Sequence, residues 1–304
     1  MIILMVVIVF GFWYGSQLVL NTQYPALAVV STSMLPTLNV GDIIIVQGVS
    51  AAQINANYTI GDIVVFRRPI SSDPEYRIVH RAVNKVQNSD GTWTITTHGD
   101  NNPIGANEEF NSKDLIGKVI ARIPYVGNFP LFMNALGNFY YFIIVIIIVI
   151  NILLLFFDTD EEKKSIKEEP HEKRKLFGKL DIELVFIAIL NVLIIGFMIF
   201  NLFGSFTFWQ IGKEPSPGYV TIYGMFSDLH FHEIYVSKAI LSNGFLTYKI
   251  DSQVSGGIRP GVPTFSWMQV SILILVFLNL WMANKYLHLD KRLRTRLKLN
   301  SIYK

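Results

Sequence analysis

Three short stretches of this chain carry side chains that could do chemistry together. Residues 31–37 read Ser-Thr-Ser-Met-Leu-Pro-Thr, residues 76–81 read Tyr-Arg-Ile-Val-His-Arg, and residues 98–103 read His-Gly-Asp-Asn-Asn-Pro. A serine, a histidine and an aspartate therefore follow an apolar opening segment in that order. A serine hydroxyl is a weak nucleophile until a base takes its proton and donors hold the oxyanion. Ser33 is the candidate nucleophile, backed by its own N–H and by the Ser31 hydroxyl as candidate oxyanion-hole donors. Ser31 lies two residues earlier and shares a face with Ser33 if the strand persists. His80 is the candidate general base, since an imidazole of ordinary pKa, about 6.5, accepts a proton at neutral pH. Asp100 sits in a Gly-Asp-Asn-Asn turn and is the candidate acid that orients the ring. Taken singly, each has a blander reading: a Ser/Thr-rich loop, a structural histidine, an Asx-turn. Their combination points to a serine hydrolase.

The elements that must hold these groups are mostly strands. Short β-branched runs at 28–30, 43–46, 63–66, 78–83, 92–97 and 116–120 predict a β-rich region over 21–138. Asn88-Ser89-Asp90-Gly91 predicts a hairpin between 78–87 and 92–97, which would seat His80 on a fixed strand. Pro69, Pro74 and the polar residues between them mark a loop before that strand. Alternation over 221–223, 231–236 and 245–250 predicts a second β-rich region, 204–266, of unassigned role. His230 and His232 would share a face of such a strand, a spacing open to a metal, but no cysteine and no third ligand support a centre. No metal and no cofactor is expected.

Hydropathy places this region at a membrane. Apolar residues make up 51% of the 304-residue chain and charged residues 16%, which turns attention from soluble classes to membrane ones. Four segments reach the roughly 20 apolar residues a spanning helix needs: 1–20, 139–157, 182–203 and 267–284. Basic residues set the orientation. The short segment 158–181 carries Lys163, Lys164, Lys167, Lys173, Arg174, Lys175 and Lys179, and the tail 285–304 is equally basic. The long region 21–138 and the region 204–266 are sparser in lysine and arginine. The predicted order is an anchor (1–20), an extracytoplasmic β-rich catalytic domain (21–138), a span (139–157), a cytoplasmic charged loop (158–181), a span (182–203), a second outward region (204–266), a span (267–284) and a basic cytoplasmic tail (285–304). The net charge of +3 comes mainly from that tail, which suits anionic lipid better than nucleic acid. Ala26-Leu27-Ala28 resembles a leader-cleavage site, but the apolar stretch lacks a basic n-region and the serine motif starts at once, so a retained anchor is expected. Without cysteine there is no disulfide framework.

Read together, Ser33-Met34-Leu35-Pro36-Thr37, Gly61-Asp62-Ile63-Val64-Val65-Phe66, Ile78-Val79-His80-Arg81 and Gly99-Asp100-Asn101-Asn102-Pro103 resemble the successive boxes of type I signal peptidases. The bacterial branch of that family has lysine where this chain has His80; the archaeal and endoplasmic-reticulum branch has histidine. The resemblance covers roughly residues 1–160. It implies a β-rich catalytic domain on the outer membrane face and removal of signal peptides after small residues at −3 and −1. It also implies Ser33 as nucleophile, His80 as base and Asp100 as an acid of the site. Members of this branch commonly carry a second aspartate about six residues past the Gly-Asp-Asn box, and here that position is Ala106. Asp100 is therefore the expected orienting acid, with Glu108, Glu109 or Asp114 as substitutes through a shifted loop. The implied partners are preprotein signal peptides, the lipid bilayer and the protein-export machinery. The implied location is the cell membrane, or alternatively the endoplasmic reticulum membrane. The rivals are a non-catalytic membrane scaffold that kept the fold, which the loss at Ala106 would suit, and a membrane processing protease with other substrates.

Overall fold

The computed structural model describes residues 2–68, 76–129, 131, 175–176, 180–204 and 224–287. The opening apolar run is one helix, α1 (Ile2–Val19), with no charged residue and with Phe10, Phe12, Tyr14 and Leu18 turned outward. The chain turns at Asn21, and the Leu20 carbonyl accepts the Gly48 N–H at 2.8 Å, which ties the foot of α1 to the body of the molecule. A side chain at position 48 would run into the Asn21 carbonyl, so this approach needs glycine.

Seven strands follow: β1 (Ala26–Ala28), β2 (Ile43–Gln47), β3 (Ile63–Arg67), β4 (Arg77–Gln87), β5 (Trp93–His98), β6 (Asn107–Asn111) and β7 (Leu115–Ile123). They pair antiparallel in the spatial order β1-β2-β7-β3-β4-β5-β6, which leaves β1 and β6 at the two ends of that run. Register shifts in β2–β7, β3–β7 and β4–β5 bend the sheet. Both faces are covered, as strand alternation demands. Ile63 and Val65 of β3 enter one core with Val29, Met34, Leu38, Ile44 and Val46. Val64 and Phe66 enter a second core with Ile54, Ala82, Ile95 and Phe110. Phe66 and Phe110 stack with ring centroids 4.1 Å apart, and Phe110 is the one buried residue of β6.

The later elements are β8 (Lys175–Leu176), β9 (Leu180–Asp181), α2 (Ile182–Phe203), α3 (Met225–Tyr235), β10 (Lys238–Asn243), β11 (Thr247–Val254), β12 (Gly257–Arg259), β13 (Thr264–Phe265) and α4 (Trp267–Leu287). β8 and β9 form a separate two-stranded ladder. Strands β10–β13 join the main sheet: β11 pairs β10, β12 and β13, and β13 lies parallel to β7 with Thr264 beside Arg122. Val262 completes the first core, so the region 224–266 packs as part of the same body. The strand expected at 231–236 is instead the end of α3. Its buried residues Met225, Asp228, Phe231 and His232 follow helical spacing, and the alternation of His and Phe there mimicked a strand. His230 and His232 are consequently about 200° apart around a helix, with His232 buried and His230 exposed. The strand expected at 221–223 lies outside the described residues.

Among the described residues, two helices are long and apolar enough to cross a membrane, over Leu184–Phe203 in α2 and Trp267–Lys285 in α4. They touch through an Asn279 Nδ2 to Asn191 Oδ1 hydrogen bond of 2.6 Å. The Trp267 indole N–H donates to the Pro124 carbonyl at 3.0 Å, which fastens the start of α4 just past β7. The span expected at 139–157, the loop 158–174 and most of the basic tail lie outside the described residues.

Candidate active site

Ser33 lies in the turn between β1 and β2. Met34, wholly buried beside it, nails the turn to the first core, and Leu38 N–H closes back on the Met34 carbonyl at 2.9 Å. The loop after β5 braces the turn from the other side. Asn101 N–H donates to the Ser33 carbonyl at 2.9 Å, and Asn101 Nδ2 to the Thr32 carbonyl at 3.1 Å. This approach is so close that a Cβ at Gly99 would sit 2.8 Å from the Ser33 carbonyl oxygen. The Gly of the Gly-Asp-Asn-Asn turn is there for backbone contact, not for flexibility.

His80 projects from the middle of β4 and is 5% exposed. Its Nε2 is 3.2 Å from Ser33 Oγ, and Ser33 Oγ is 3.2 Å from Ser31 Oγ. The three expected at the reacting centre from the nucleophile side are therefore adjacent. Nδ1 of His80 faces Glu108 Oε2 at 3.4 Å, and both atoms are buried with no other hydrogen-bond partner. The second oxygen of Glu108 takes a 2.5 Å ion pair from Arg68 Nη1. Burial holds the His80 pKa below the ordinary histidine range; the Glu108 charge opposes that shift, and His98 reinforces it.

Asp100 is placed differently from expectation. Its carboxylate is 1% exposed and takes a bidentate pair from Arg81, Nε to Oδ1 at 2.8 Å and Nη2 to Oδ2 at 2.7 Å. The Thr37 hydroxyl donates to Oδ2, and Arg259 Nη1 stands 3.4 Å from Oδ1. Burial alone would raise the Asp100 pKa, but the Arg81 hydrogen bonds and charge, with Arg259 and Thr37, hold it below the ordinary carboxylate value. The reason is strand geometry. Successive side chains of a strand point to opposite faces, so the acid that grips Arg81 meets the face away from the His80 ring. Glu108 shares the His80 face. It stands in the cross-strand row Ala82–Thr97–Glu108, where the intervening side chains are small.

The other candidates sort by the same rule. Glu109, next to Glu108 on β6, is exposed and accepts from Thr96 Oγ1 at 3.2 Å. Asp114 lies in the 3-10 turn Ser112–Asp114 before β7. Ala106 lies exposed in the turn before β6. His98 is buried, bonded through Nδ1 to Asn107 Oδ1 at 3.1 Å and packed on the Tyr58 ring. Among the described residues no group of three or more metal-ligating side chains converges. Arg68 and Arg259 carry no local signal in the sequence; Arg81 has one, its place next to His80 in Ile78-Val79-His80-Arg81.

Comparison with known proteins identifies the family. A sequence model of the family described as signal peptidase, peptidase S26, matches residues 1–121. The signal peptidase complex catalytic subunit SEC11 of Fusarium vanettenii is 30% identical over 132 residues, 41% of this chain and 73% of that protein. SEC11 of Eremothecium gossypii is 31% identical over 126 residues, 39% and 71% respectively. This chain belongs to the S26 family of signal peptidases. Human SEC11C is similar as well, at 30% over 129 residues, 40% of this chain and 64% of that protein. A signal peptidase of this family is a serine hydrolase, which is what a buried imidazole in contact with a serine hydroxyl equips the chain to be.

Proposed function

We propose that this signal peptidase is a membrane-bound endopeptidase that removes N-terminal signal peptides from exported preproteins, cutting after small residues at −3 and −1. Ser33 Oγ attacks the scissile carbonyl as His80 Nε2 takes its proton. The imidazolium then returns that proton to the leaving amine, and water repeats the sequence on the acyl-enzyme. The Ser31 hydroxyl and the Ser33 N–H stabilise the oxyanion. Glu108 orients the ring through Nδ1 and stabilises the imidazolium, while Asp100 holds the nucleophile turn through Arg81 and Thr37. The observation that carries the reading is the 3.2 Å contact between Ser33 and His80 within the family's matched stretch.

The proposed topology has four spans: α1, residues 139–157, α2 and α4. The catalytic body and residues 224–266 then lie on the extracytoplasmic face of the cell membrane, or on the lumenal face of an endoplasmic reticulum. Ser33 follows the end of α1 by only about fourteen residues, so the site would sit near the membrane surface where a signal peptide emerges extended. Capture of the peptide by the bilayer raises its effective concentration, and weak contacts to small side chains then suffice. The protein-export machinery is the proposed neighbour. Reconstituted cleavage of a preprotein tests the reading. We expect wild-type protein to release the mature chain and Ser33→Ala to release none; equal cleavage by the two would refute it.

A further inference from the structure

Residues 224–266 lie beyond the stretch the family model matches, yet they reach the nucleophile turn. Their attachment is built of buried charge. Arg122 of β7, 3% exposed, pairs with Asp42 at 2.9 Å and with Asp228 of α3, and its Nε donates to Thr264 Oγ1 at 2.6 Å. Asn39 Nδ2 donates to Asp228 at 3.1 Å. From this fixed base, β11 and β12 run back toward the loops beside the catalytic residues. Ser252 and Arg259 pair across them, and Gly261 N–H is held by Asp251 Oδ1 at 2.8 Å. A cleft of about 740 Å³ separates the two parts, lined among others by Tyr58, His98, Asp100, Tyr235 and Gln253. One side chain bridges it. Arg259, its side chain 14% exposed, stands 3.4 Å from Asp100 Oδ1 and donates to the Tyr58 carbonyl at 3.4 Å.

We propose that Arg259 is a positioning residue of the peptidase site, through which the appended region 224–266 clamps Asp100 and with it the turn that carries Ser33. The chain of contacts is short. Arg259 and Arg81 hold the Asp100 carboxylate from two directions, Thr37 ties that carboxylate to the nucleophile turn, and Asn101 fixes the Ser33 carbonyl. Asp100 already has a bidentate partner in Arg81, so Arg259 is more than charge compensation; it supplies the second direction that stops the loop from pivoting about the first. The contact also has an electrostatic signature. The charged groups around His80 are Glu108 from β6 on its own face, with Arg68 on its far oxygen, His98 from β5, and, acting from across the strand, Asp100 of the following loop. The Asp100 charge favours the imidazolium, and Arg259 counters part of that charge. Removing the Arg259 cation therefore raises the His80 pKa and moves the base limb of the rate profile upward.

This inference rests on the proposed peptidase reading, and one experiment separates the two. Full-length wild type, Ser33→Ala, Arg259→Gln and Arg259→Lys are reconstituted in proteoliposomes, and preprotein cleavage is followed from pH 5 to 9. We expect Arg259→Gln to lower kcat about five- to tenfold with KM unchanged, as misplacement of a reacting group does. Its base limb should move up by about half a pH unit, in keeping with the loss of one nearby cation. Arg259→Lys keeps the charge and should keep the wild-type limb, with most of kcat restored. Thermal unfolding of both variants within a few degrees of wild type is part of the expected result. Cleavage by Ser33→Ala would sink the peptidase reading itself. Cleaving wild type with Arg259→Gln unchanged in kcat and limb would overturn the clamp alone. So would a rise in KM confined to preproteins with a long mature segment, which would make the cleft a substrate groove.

Discussion

Glu108→Gln isolates the acid of the proposed relay. The substitution keeps the shape of the side chain and removes its charge. Opposite unit charges about 4 Å apart interact by roughly 4 kcal/mol at an effective dielectric of 20. Two features of the site reduce that figure. Glu108 is 27% exposed, and its other oxygen is engaged by Arg68 at 2.5 Å. A loss of about 2–3 kcal/mol of imidazolium stabilisation is reasonable, which is roughly 30- to 150-fold in kcat. This is milder than the ~10⁴-fold cost of neutralising the orienting aspartate in a chymotrypsin-type triad, in line with a 3.4 Å contact and a partly wet carboxylate. The sign of the pH effect is fixed as well. The Glu108 charge raises the His80 pKa against the lowering by burial, so its removal should move the base limb to still lower pH. The assay is single-turnover cleavage of a labelled preprotein in proteoliposomes from pH 4.5 to 8. Activity within threefold of wild type together with an unmoved limb would refute the assignment of Glu108.

Three further expectations follow from the same contacts. Asp100→Asn leaves the buried Arg81 and the half-buried Arg259 against a neutral amide; it should cost about 3–5 kcal/mol of stability, read by denaturant unfolding in detergent, with activity falling alongside. Asp42 should make stability pH-dependent: burial raises its folded pKa from 3.8 to about 6, so its contribution is present below about pH 4 and lost as pH rises through 6, on the order of 2–3 kcal/mol. Asp42→Asn should flatten that slope, and an unchanged slope would show that Asp42 does not carry it. Phe110→Ala removes the stacked partner of Phe66 and the one buried residue of β6; about 3 kcal/mol of destabilisation is expected, with cleavage falling because β6 carries Glu108.

The strands around Ser33 and His80 are legible because they are apolar and β-branched: Ile43–Gln47, Ile63–Arg67 and Arg77–Gln87 lie where periodicity puts them. β6 is not. Asn107-Glu108-Glu109-Phe110-Asn111 shows one apolar residue in five, as an edge strand with a single anchor can, and no hydrophobic alternation marks it. The carboxylate nearest His80 therefore reads from sequence as part of a loop. The pairing of Asp100 with Arg81 in place of a contact with the His80 ring was illegible for a related reason. Spacing along the chain says that an acid is near a histidine-bearing strand, but not which face of that strand it meets. The region 204–266 reads from sequence as a separate β-rich patch because β13 joins β7 through one paired residue and a buried arginine, and neither leaves a periodic trace.

In the proposed mechanism the two acids divide the work expected of one residue, and the division follows from charge. A carboxylate held by Arg81 and Arg259 is a poor partner for an imidazolium, since two cations already share its charge and its oxygens are spoken for. It is a good anchor for a backbone turn, because breaking it would leave buried arginines unpaired. Glu108 has one oxygen on an exposed arginine and the other aimed at an unpartnered ring nitrogen. That oxygen gains most when His80 becomes positive, which is when acylation needs the stabilisation. On the proposed reading Ala106 is no sign of lost catalysis: a carboxylate two residues further along, on the same face as His80, stands 3.4 Å from the ring.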